Sequence, residues 1–257
     1  MTQPSETLLR FVKGGNAKLD KDIWSFSLPA GWSCPGAKDC LTKVDPETGK
    51  LVDGAMQRFR CFAAASETRP NVREQRWHNF ELLSQAKTRA RIAELIIESF
   101  PRHVKTMRIH VSGDFFSRAY FEAWCDVAHH FSSTEFYAYT KSLKQVEPYI
   151  TASGLPKNFK LTLSTGGKWD EHIDTLQTIA ETANFTLGVV EVAFHPDEAA
   201  ESGLPVDHDD SHARAGDHRF ALLLHSQQPS DSEAATAIKR MKKEDIQFSY
   251  STKPKKE

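Results

Sequence analysis

The chain has 257 residues, of which 39% are hydrophobic and 26% are charged, a balance typical of a soluble globular protein with one large domain or two small ones. Its net charge of -1 at pH 7 excludes a global field that would draw the chain onto nucleic acid. No window approaches the roughly 18 to 20 apolar residues of a membrane span, and the first residues lack a signal peptide's basic and apolar regions. We therefore expect a cytoplasmic protein, in which clustered cysteines are more plausibly a metal site than disulfides.

The start of the chain divides into a polar arm and a strand. Residues 1–21 are polar with scattered lysines and are expected to form an irregular N-terminal arm. Residues 24–28 alternate apolar and small polar side chains, which predicts a strand with one buried face. We place an α/β domain over residues 22–250, followed by a polar, basic tail at residues 251–257.

A cysteine-rich loop at residues 32–65 follows this strand directly. It contains Cys34, Cys40 and Cys61 among glycines, prolines and small residues. Residues 44–54 have the turn chemistry of a hairpin, which would bring Cys61 back towards the other two cysteines. The fourth cysteine, Cys125, lies in a predicted helix and is expected to be a buried core thiol.

The remaining pattern alternates strands and helices. The longest helical signal covers residues 71–100, as one bent helix or two. Further strands are predicted at residues 106–111, 135–139, 159–163, 186–194 and 220–225, and further helices at residues 117–131 and 171–181. Together with the first strand, this rhythm predicts one α/β domain with a mostly parallel six-stranded sheet, either doubly wound or curled. We favour a partial (β/α)6 barrel.

Small and polar residues directly follow three of the predicted strands. They are the groups Ser112-Gly113-Asp114, Thr140-Lys141-Ser142 and Ser164-Thr165-Gly166-Gly167. Parallel sheets bind their ligands at the carboxyl ends of the strands. We therefore expect these groups and the cysteine loop to share one ligand pocket, although structural turns also use serine and glycine.

The three clustered cysteines are candidate metal ligands. Cys34, Cys40 and Cys61 could hold zinc with a fourth ligand, or an iron–sulfur cluster with one iron left open. Structural zinc sites usually bring cysteines in Cys-x2-Cys pairs, and the sequence has none.

The cysteine loop follows the first strand of a parallel α/β sheet, and an aromatic residue, Phe62, follows its last cysteine. In both respects the chain resembles radical S-adenosylmethionine enzymes. The resemblance implies that three cysteines hold a [4Fe-4S] cluster whose open iron binds the amino and carboxylate groups of S-adenosylmethionine. The Ser112-Gly113-Asp114 group stands where these enzymes carry a Gly-Gly-Glu type motif that contacts the methionine amine. We expect cofactor-binding residues at the strand ends, with Asp114 and Lys141 in catalytic roles. These cofactor-binding residues are Ser112, Gly113, Asp114, Ser164, Thr165 and Gly166. The chain departs from the family's Cys-x3-Cys-x2-Cys spacing, since its cysteine gaps are five and twenty residues.

Longer motifs resemble the phage gene product 88 family over roughly residues 22 to 250. They are Ser27-Leu28-Pro29-Ala30-Gly31-Trp32-Ser33-Cys34-Pro35-Gly36-Ala37, Phe59-Arg60-Cys61-Phe62-Ala63-Ala64, Arg69-Pro70-Asn71-Val72-Arg73, His110-Val111-Ser112-Gly113-Asp114-Phe115-Phe116 and Asp207-His208-Asp209-Asp210-Ser211-His212. This resemblance implies a bacteriophage or prophage origin, and it implies kinship rather than a particular activity.

A second polar cluster lies late in the chain, at His208, Asp209, Asp210 and His212. On a helix the two histidines would share a face, and the group could supply metal ligands or an acid/base pair. The alternative is a solvated loop before the last strand. If the cluster is functional, it would suit a metal-dependent transferase or hydrolase.

Two basic stretches bear on possible partners. One includes Arg69, Arg73, Arg76, Lys87, Arg89 and Arg91, and the other runs from Lys239 to Lys243 and continues in the tail. Such runs are usually solvated faces, but they could contact phosphates. Our leading hypothesis is a phage-encoded iron–sulfur enzyme acting on a nucleotide, a nucleic-acid base or another small substrate in the host cytoplasm, without a membrane partner. The alternative is a zinc-bound nucleic-acid-binding or host-interaction protein without catalysis.

Overall fold

Strands and helices alternate along most of the chain in a computed structural model that describes residues 7–14 and 21–248. The strands are β1 (Val12–Lys13), β2 (Ile23–Ser27), β3 (Thr42–Val44), β4 (Leu51–Asp53), β5 (Thr106–Ser112), β6 (Glu135–Thr140), β7 (Phe159–Ser164), β8 (Leu187–Ala193) and β9 (Arg219–Leu223). The helices are α1 (Ala64–Glu67), α2 (Pro70–Ala86), α3 (Arg89–Ser99), α4 (Arg118–His130), α5 (Leu143–Ser153), α6 (Ile173–Thr182), α7 (Pro196–Glu201), α8 (Ser211–Ala215) and α9 (Glu233–Lys243), with a 3-10 turn at Asp170–His172.

Within these residues the main sheet has seven strands in the order β1-β2-β5-β6-β7-β8-β9. From β2 to β9 every neighbouring pair is parallel. The predicted α/β class with a mostly parallel sheet is confirmed, but the predicted count of six strands is wrong. The added strand is β1, which pairs antiparallel with β2 inside the region expected to be an irregular arm. A two-residue strand is too short to show periodicity in the sequence.

Both faces of the sheet are covered, by different parts of the chain. On one face the core includes Leu83 of α2, Ile96 of α3, Trp124 of α4, Ile150 of α5 and Leu176 of α6. When consecutive parallel strands are also neighbours in the sheet, right-handed connections place the connecting helices on the same face. On the other face, Ile23, Tyr137, Val190 and Phe220 form a smaller core with Ala213 of α8.

The long helical signal at residues 71–100 forms two helices. Lys87 has a left-handed φ of 59°, and the Thr88 side chain then caps α3 by accepting from the amide of Arg91. A left-handed residue followed by an N-cap separates one helix from the next. The sequence pattern is compatible with one bent helix as well as with two.

Some elements were not predicted from the sequence: β1, α5, α7, α8 and α9. Helix α5 contains Pro148 in its interior, a residue that normally argues against a helix. Cys125 is fully buried in the main core, as expected. The tail at residues 251–257, and residues 1–6 and 15–20 of the arm, lie outside the described residues. No helix of the described part is long and apolar enough to cross a membrane.

Candidate functional site

The cysteine loop covers the carboxyl ends of β6 and β7. The predicted hairpin is confirmed, since β3 and β4 pair antiparallel. The amide of Asp39 donates to the carbonyl of Gly166 at 3.0 Å, and the amide of Lys168 donates to the carbonyl of Gly36 at 2.9 Å. A Cβ on Gly36 would lie 1.9 Å from the carbonyl oxygen of Lys141, so only glycine permits this backbone approach.

Beneath the loop is an open cavity of about 180 Å³. It brings together all three clustered cysteines and most of the polar residues predicted at the strand ends. Its lining includes Cys34, Cys40, Cys61, Ser112, Gly113, Asp114, Lys141 and Ser164. Thr165 and Gly166 lie beside this lining: Gly166 packs against Asp39, and the amide of Thr165 donates to the carbonyl of Val190.

The surroundings of the three partly exposed thiols disfavour their thiolate form. Desolvation raises the pKa of Cys34, Cys61 and Cys40, the last to about 12. Each of the other two thiols further raises the pKa of Cys34, while the ammonium of Lys141 opposes the rise at Cys40. The thiols are therefore close enough to interact electrostatically. Within residues 7–14 and 21–248, however, no three His, Cys, Asp or Glu side chains lie close enough together to hold one metal ion.

Asp114 joins the ends of two strands. One carboxylate oxygen accepts from the amide of Phe115 and the hydroxyl of Thr140, both at 2.7 Å, and the other accepts from the amide of Lys141 at 2.8 Å. Burial raises the pKa of Asp114, and these hydrogen bonds oppose the rise. This carboxylate fixes the β6 end against the β5 end in addition to facing the cavity.

Lys141 supplies a positive charge beside the cysteines. It is buried, and its ammonium group donates to the Ser164 hydroxyl at 2.7 Å and to the carbonyl of Thr165. Because it interacts electrostatically with Cys40, it can stabilise a thiolate or another anion in the cavity.

The floor of the cavity contains residues that the sequence pattern does not indicate as site residues. Arg108 and Tyr139 both line it, and Arg108 forms a buried ion pair with Asp210. The hydroxyls of Tyr137 and Tyr139 also donate to Asp210, at 3.2 and 3.3 Å. One member of the second polar cluster therefore supports the first site. Arg108 lies inside a buried strand pattern and gave no sequence signal of its own.

The other members of the second polar cluster point elsewhere. His208 and Asp209 are exposed, whereas His212 pairs with Asp217 at 2.6 Å and stacks on Phe220. Asp210 is buried beneath them with a left-handed φ of 63°. The structure therefore does not bring these four side chains together as one metal site.

His110 is a third cavity residue that the sequence pattern does not indicate. It has a left-handed φ of 68° within β5, where the register against β2 shifts between Ser25 and Ser27. Its Nε2 contacts the Tyr120 hydroxyl at 2.9 Å. Burial, with a smaller contribution from Arg108, lowers the pKa of His110 to about 3. The histidine is therefore neutral near pH 7, and a bulge of this kind is visible only in the folded strand pair.

Much of the first basic stretch is paired within the protein. Arg76 forms a buried ion pair with Glu67 at 2.8 Å, and Glu67 also accepts from the amide of Ala30 at the base of the cysteine loop. Arg89 pairs with Asp126 and Arg91 with Glu94. Arg76 therefore anchors α2 to the base of the cysteine loop, whereas the Arg91 pair lies exposed on the surface of α3.

Comparison with known proteins identifies the kinship of this chain. A family model described as Gene product 88 matches residues 7–243. The chain belongs to the Gene product 88 family. Two curated members are similar to it: the Gene 88 proteins of Mycobacterium phage D29, with 34% identity, and Mycobacterium phage L5, with 33% identity, each over 141 residues. Each match covers 51% of this chain and 52% of the relative, so the chain spans about half the length of the curated relatives it matches. No solved structure matches it.

Proposed function

We propose that this Gene product 88 family chain is a phage- or prophage-encoded iron–sulfur enzyme of the radical S-adenosylmethionine type. Its substrate would be a nucleotide, a nucleic-acid base or another small molecule in the bacterial cytoplasm. The observation that carries the proposal is the single cavity at the carboxyl ends of parallel strands, lined by Cys34, Cys40 and Cys61. These cysteines are separated by five and twenty residues in the sequence, so the fold alone brings them together.

We also infer that the sheet curls into a partial barrel. The strand order from β2 to β9 follows the chain without reversal, unlike a doubly wound sheet, whose order reverses at a switch point. On the face opposite the long helices, Ile23 of β2, Tyr137 of β6 and Phe220 of β9 belong to one buried cluster. A curled sheet explains how groups from distant strands meet on this face.

The donor set fits an iron–sulfur cluster. Iron–sulfur clusters are held by cysteine thiolates, and three thiols around one cavity leave one iron position for another ligand. Ligands of a single tetrahedral zinc at about 2.3 Å must lie within about 4 Å of one another, so thiols spread around a cavity suit a cluster better. When bound, such a cluster supplies one-electron chemistry with S-adenosylmethionine.

The chain's own side chains would serve binding and positioning. The Lys141 ammonium would favour the thiolate form of Cys40, and Ser112 and Ser164 offer hydroxyls to a polar cofactor. Asp114 holds the ends of β5 and β6 in place through its three hydrogen bonds. The overlying cysteine loop would limit the access of water and oxygen to the reacting groups.

Purification without oxygen tests this proposal. We expect a brown protein with about four irons per chain and an equal amount of sulfide. The electron paramagnetic resonance signal of the reduced protein should shift when S-adenosylmethionine is added. Cys34→Ser, Cys40→Ser and Cys61→Ser should each lower the iron content, whereas Cys125→Ser should retain it because Cys125 is a core thiol. A colourless protein holding one zinc in air would overturn the proposal.

A further inference from the structure

We propose that Lys141 and Ser164 form the binding site for the anionic group, a carboxylate or a phosphate, of a small substrate. This inference rests on the proposed function only in taking the cysteine cavity as the place where the substrate is bound. It adds the chemical class of the substrate and the two side chains that hold its charge, at the carboxyl ends of β6 and β7.

The ammonium group of Lys141 is a buried positive charge that has no carboxylate partner in the described part of the chain. Lys141 is 9% exposed, and its Nζ donates to two uncharged oxygens, the Ser164 hydroxyl at 2.7 Å and the carbonyl of Thr165. An ammonium has three N–H donors, and no other acceptor among residues 7–14 and 21–248 takes the third. Because buried charges are normally paired, this donor is available to an anionic ligand.

The carboxylates at the same strand ends are held by other donors. Asp170 accepts from the amides of Gly166 and Gly167, at 2.8 and 2.9 Å. Asp114 accepts three hydrogen bonds, one of them from the backbone amide of Lys141 at 2.8 Å. Neither carboxylate forms an ion pair with the Lys141 ammonium. Its charge is therefore left for a group that enters the cavity.

The Ser164 hydroxyl supplies a second donor beside the ammonium. Its oxygen accepts from Lys141, and its own O–H donates to no acceptor within the described ranges. Ser164 is half-buried. Both residues line the cavity together with Cys40, and the ammonium interacts electrostatically with that cysteine. Two adjacent donors, one of them charged, match two oxygens of a carboxylate or a phosphate.

The rest of the cavity defines the body of the substrate. Val111, Val192 and Leu222 line it, and Phe59 and Phe62 extend this apolar surface. An apolar wall with a few convergent polar groups is typical of small-molecule sites. The cavity volume of about 180 Å³ is slightly larger than the roughly 150 Å³ that holds a benzene ring. The substrate class is therefore a small molecule with an apolar body of about one ring and one anionic group.

Titration with three matched probes tests the charge preference of the site: benzoate, phenyl phosphate and the uncharged benzamide. Binding to the metal-free protein is followed by calorimetry and ligand-observed NMR. We expect one of the two anions to bind at least tenfold more tightly than benzamide, and the tighter one identifies the anionic group. Tighter binding of phenyl phosphate would favour a nucleotide as the substrate. If no probe binds, or if benzamide binds as tightly as both anions, the proposal fails.

Variants locate the site. Lys141→Met removes the ammonium and should weaken anion binding at least tenfold, whereas Lys144→Met, at an exposed position of α5, should leave it unchanged. Ser164→Asp keeps the ammonium but gives it a carboxylate partner within the protein, so it should weaken anion binding at least tenfold even if Lys141→Met does not fold. Ser164→Asn, of the same size but uncharged, should weaken it less. Unchanged binding in Ser164→Asp, or equal losses in the two lysine variants, would overturn the assignment.

The two proposals fail separately. Anion binding by a protein that takes up no iron would refute the proposed enzyme class and leave the Lys141 site standing. A normal iron content after purification without oxygen, combined with no anion binding by the metal-free protein, would do the opposite.

Discussion

Arg108 and Asp210 form a buried ion pair although 102 residues separate them in the chain. The pair joins β5 to the segment that enters α8, and the hydroxyls of Tyr137 and Tyr139 converge on the same carboxylate. It thereby connects the floor of the cavity to the second polar cluster.

Asp210→Ala should strongly destabilise the protein. It would leave the Arg108 charge buried without its carboxylate, a loss that typically costs about 3–5 kcal/mol. The measurement is urea unfolding followed by circular dichroism. The matched control is His208→Ala, at an exposed position two residues away, where a change within about 0.5 kcal/mol is expected. Equal effects of the two substitutions would contradict a structural role for the ion pair.

Gly36→Ala should displace the cysteine loop. The added Cβ would lie 1.9 Å from the carbonyl oxygen of Lys141, and no side-chain rotation can relieve a clash between backbones. We expect a loss of about 2–3 kcal/mol in the free energy of unfolding, together with faster alkylation of the three loop cysteines. Gly203→Ala serves as the control, because nothing lies within 4 Å of its Cβ. Its left-handed φ should cost only about 1 kcal/mol, and thiol accessibility should stay the same.

The stability of the protein should depend on pH through His110. Its pKa is about 3 in the folded protein, against about 6.5 in the unfolded chain, so below pH 6.5 the unfolded chain binds a proton that the folded protein does not. The contribution of His110 to the free energy of unfolding should therefore be fully present above pH 6.5. Below that pH, the free energy of unfolding should fall by about 1.4 kcal/mol per pH unit as the pH drops towards 3.

Comparison with His110→Asn isolates this contribution, since asparagine tolerates a left-handed φ and does not titrate. The difference in unfolding free energy between wild type and variant should shrink between pH 6.5 and pH 4. A constant difference over that range would show that His110 takes up its proton equally in both states.

The metal-free native protein should alkylate slowly at the cysteine cavity. With a pKa of about 12, only about one Cys40 in ten thousand is a thiolate at pH 8, and the thiolate is the reactive form. Iodoacetamide labelling with a chelator present, read by mass spectrometry, should speed up about tenfold per pH unit above pH 8. In urea all four cysteines should react at the rate of a free thiol. Labelling of native Cys40 as fast as glutathione would contradict the raised pKa of this thiol.

The order of elements could be predicted from the sequence because each parallel strand carries its own apolar run. Residues 106–111 and 159–163 were predicted as strands, and β5 and β7 lie there. The hairpin was predictable from its turn residues, and Cys125 from its position among core residues. These signals are local, and so they survive without knowledge of the tertiary contacts.

The floor of the cavity could not be predicted in the same way. Arg108 and His110 lie inside a strand whose pattern looks uniformly buried, and the register shift against β2 beside His110 depends on strand pairing, which the sequence does not show. The sequence pattern groups Asp210 with His208, Asp209 and His212, because sequence alone does not tell which way a side chain in a turn will point. Strand β1 and helix α5, which contains Pro148, could not be predicted from local sequence, because tertiary packing overrides local propensity at both places.

The long sequence separation between Arg108 and Asp210 also has a consequence for synthesis. The ribosome makes Cys34, Cys40 and Cys61 early, but the carboxylate that completes the floor beneath them arrives only after β8 has been made. Until then the thiols face an unfinished cavity, open to oxidants and to stray metal ions. The newly made chain therefore passes through a stage in which its most reactive groups are the least protected.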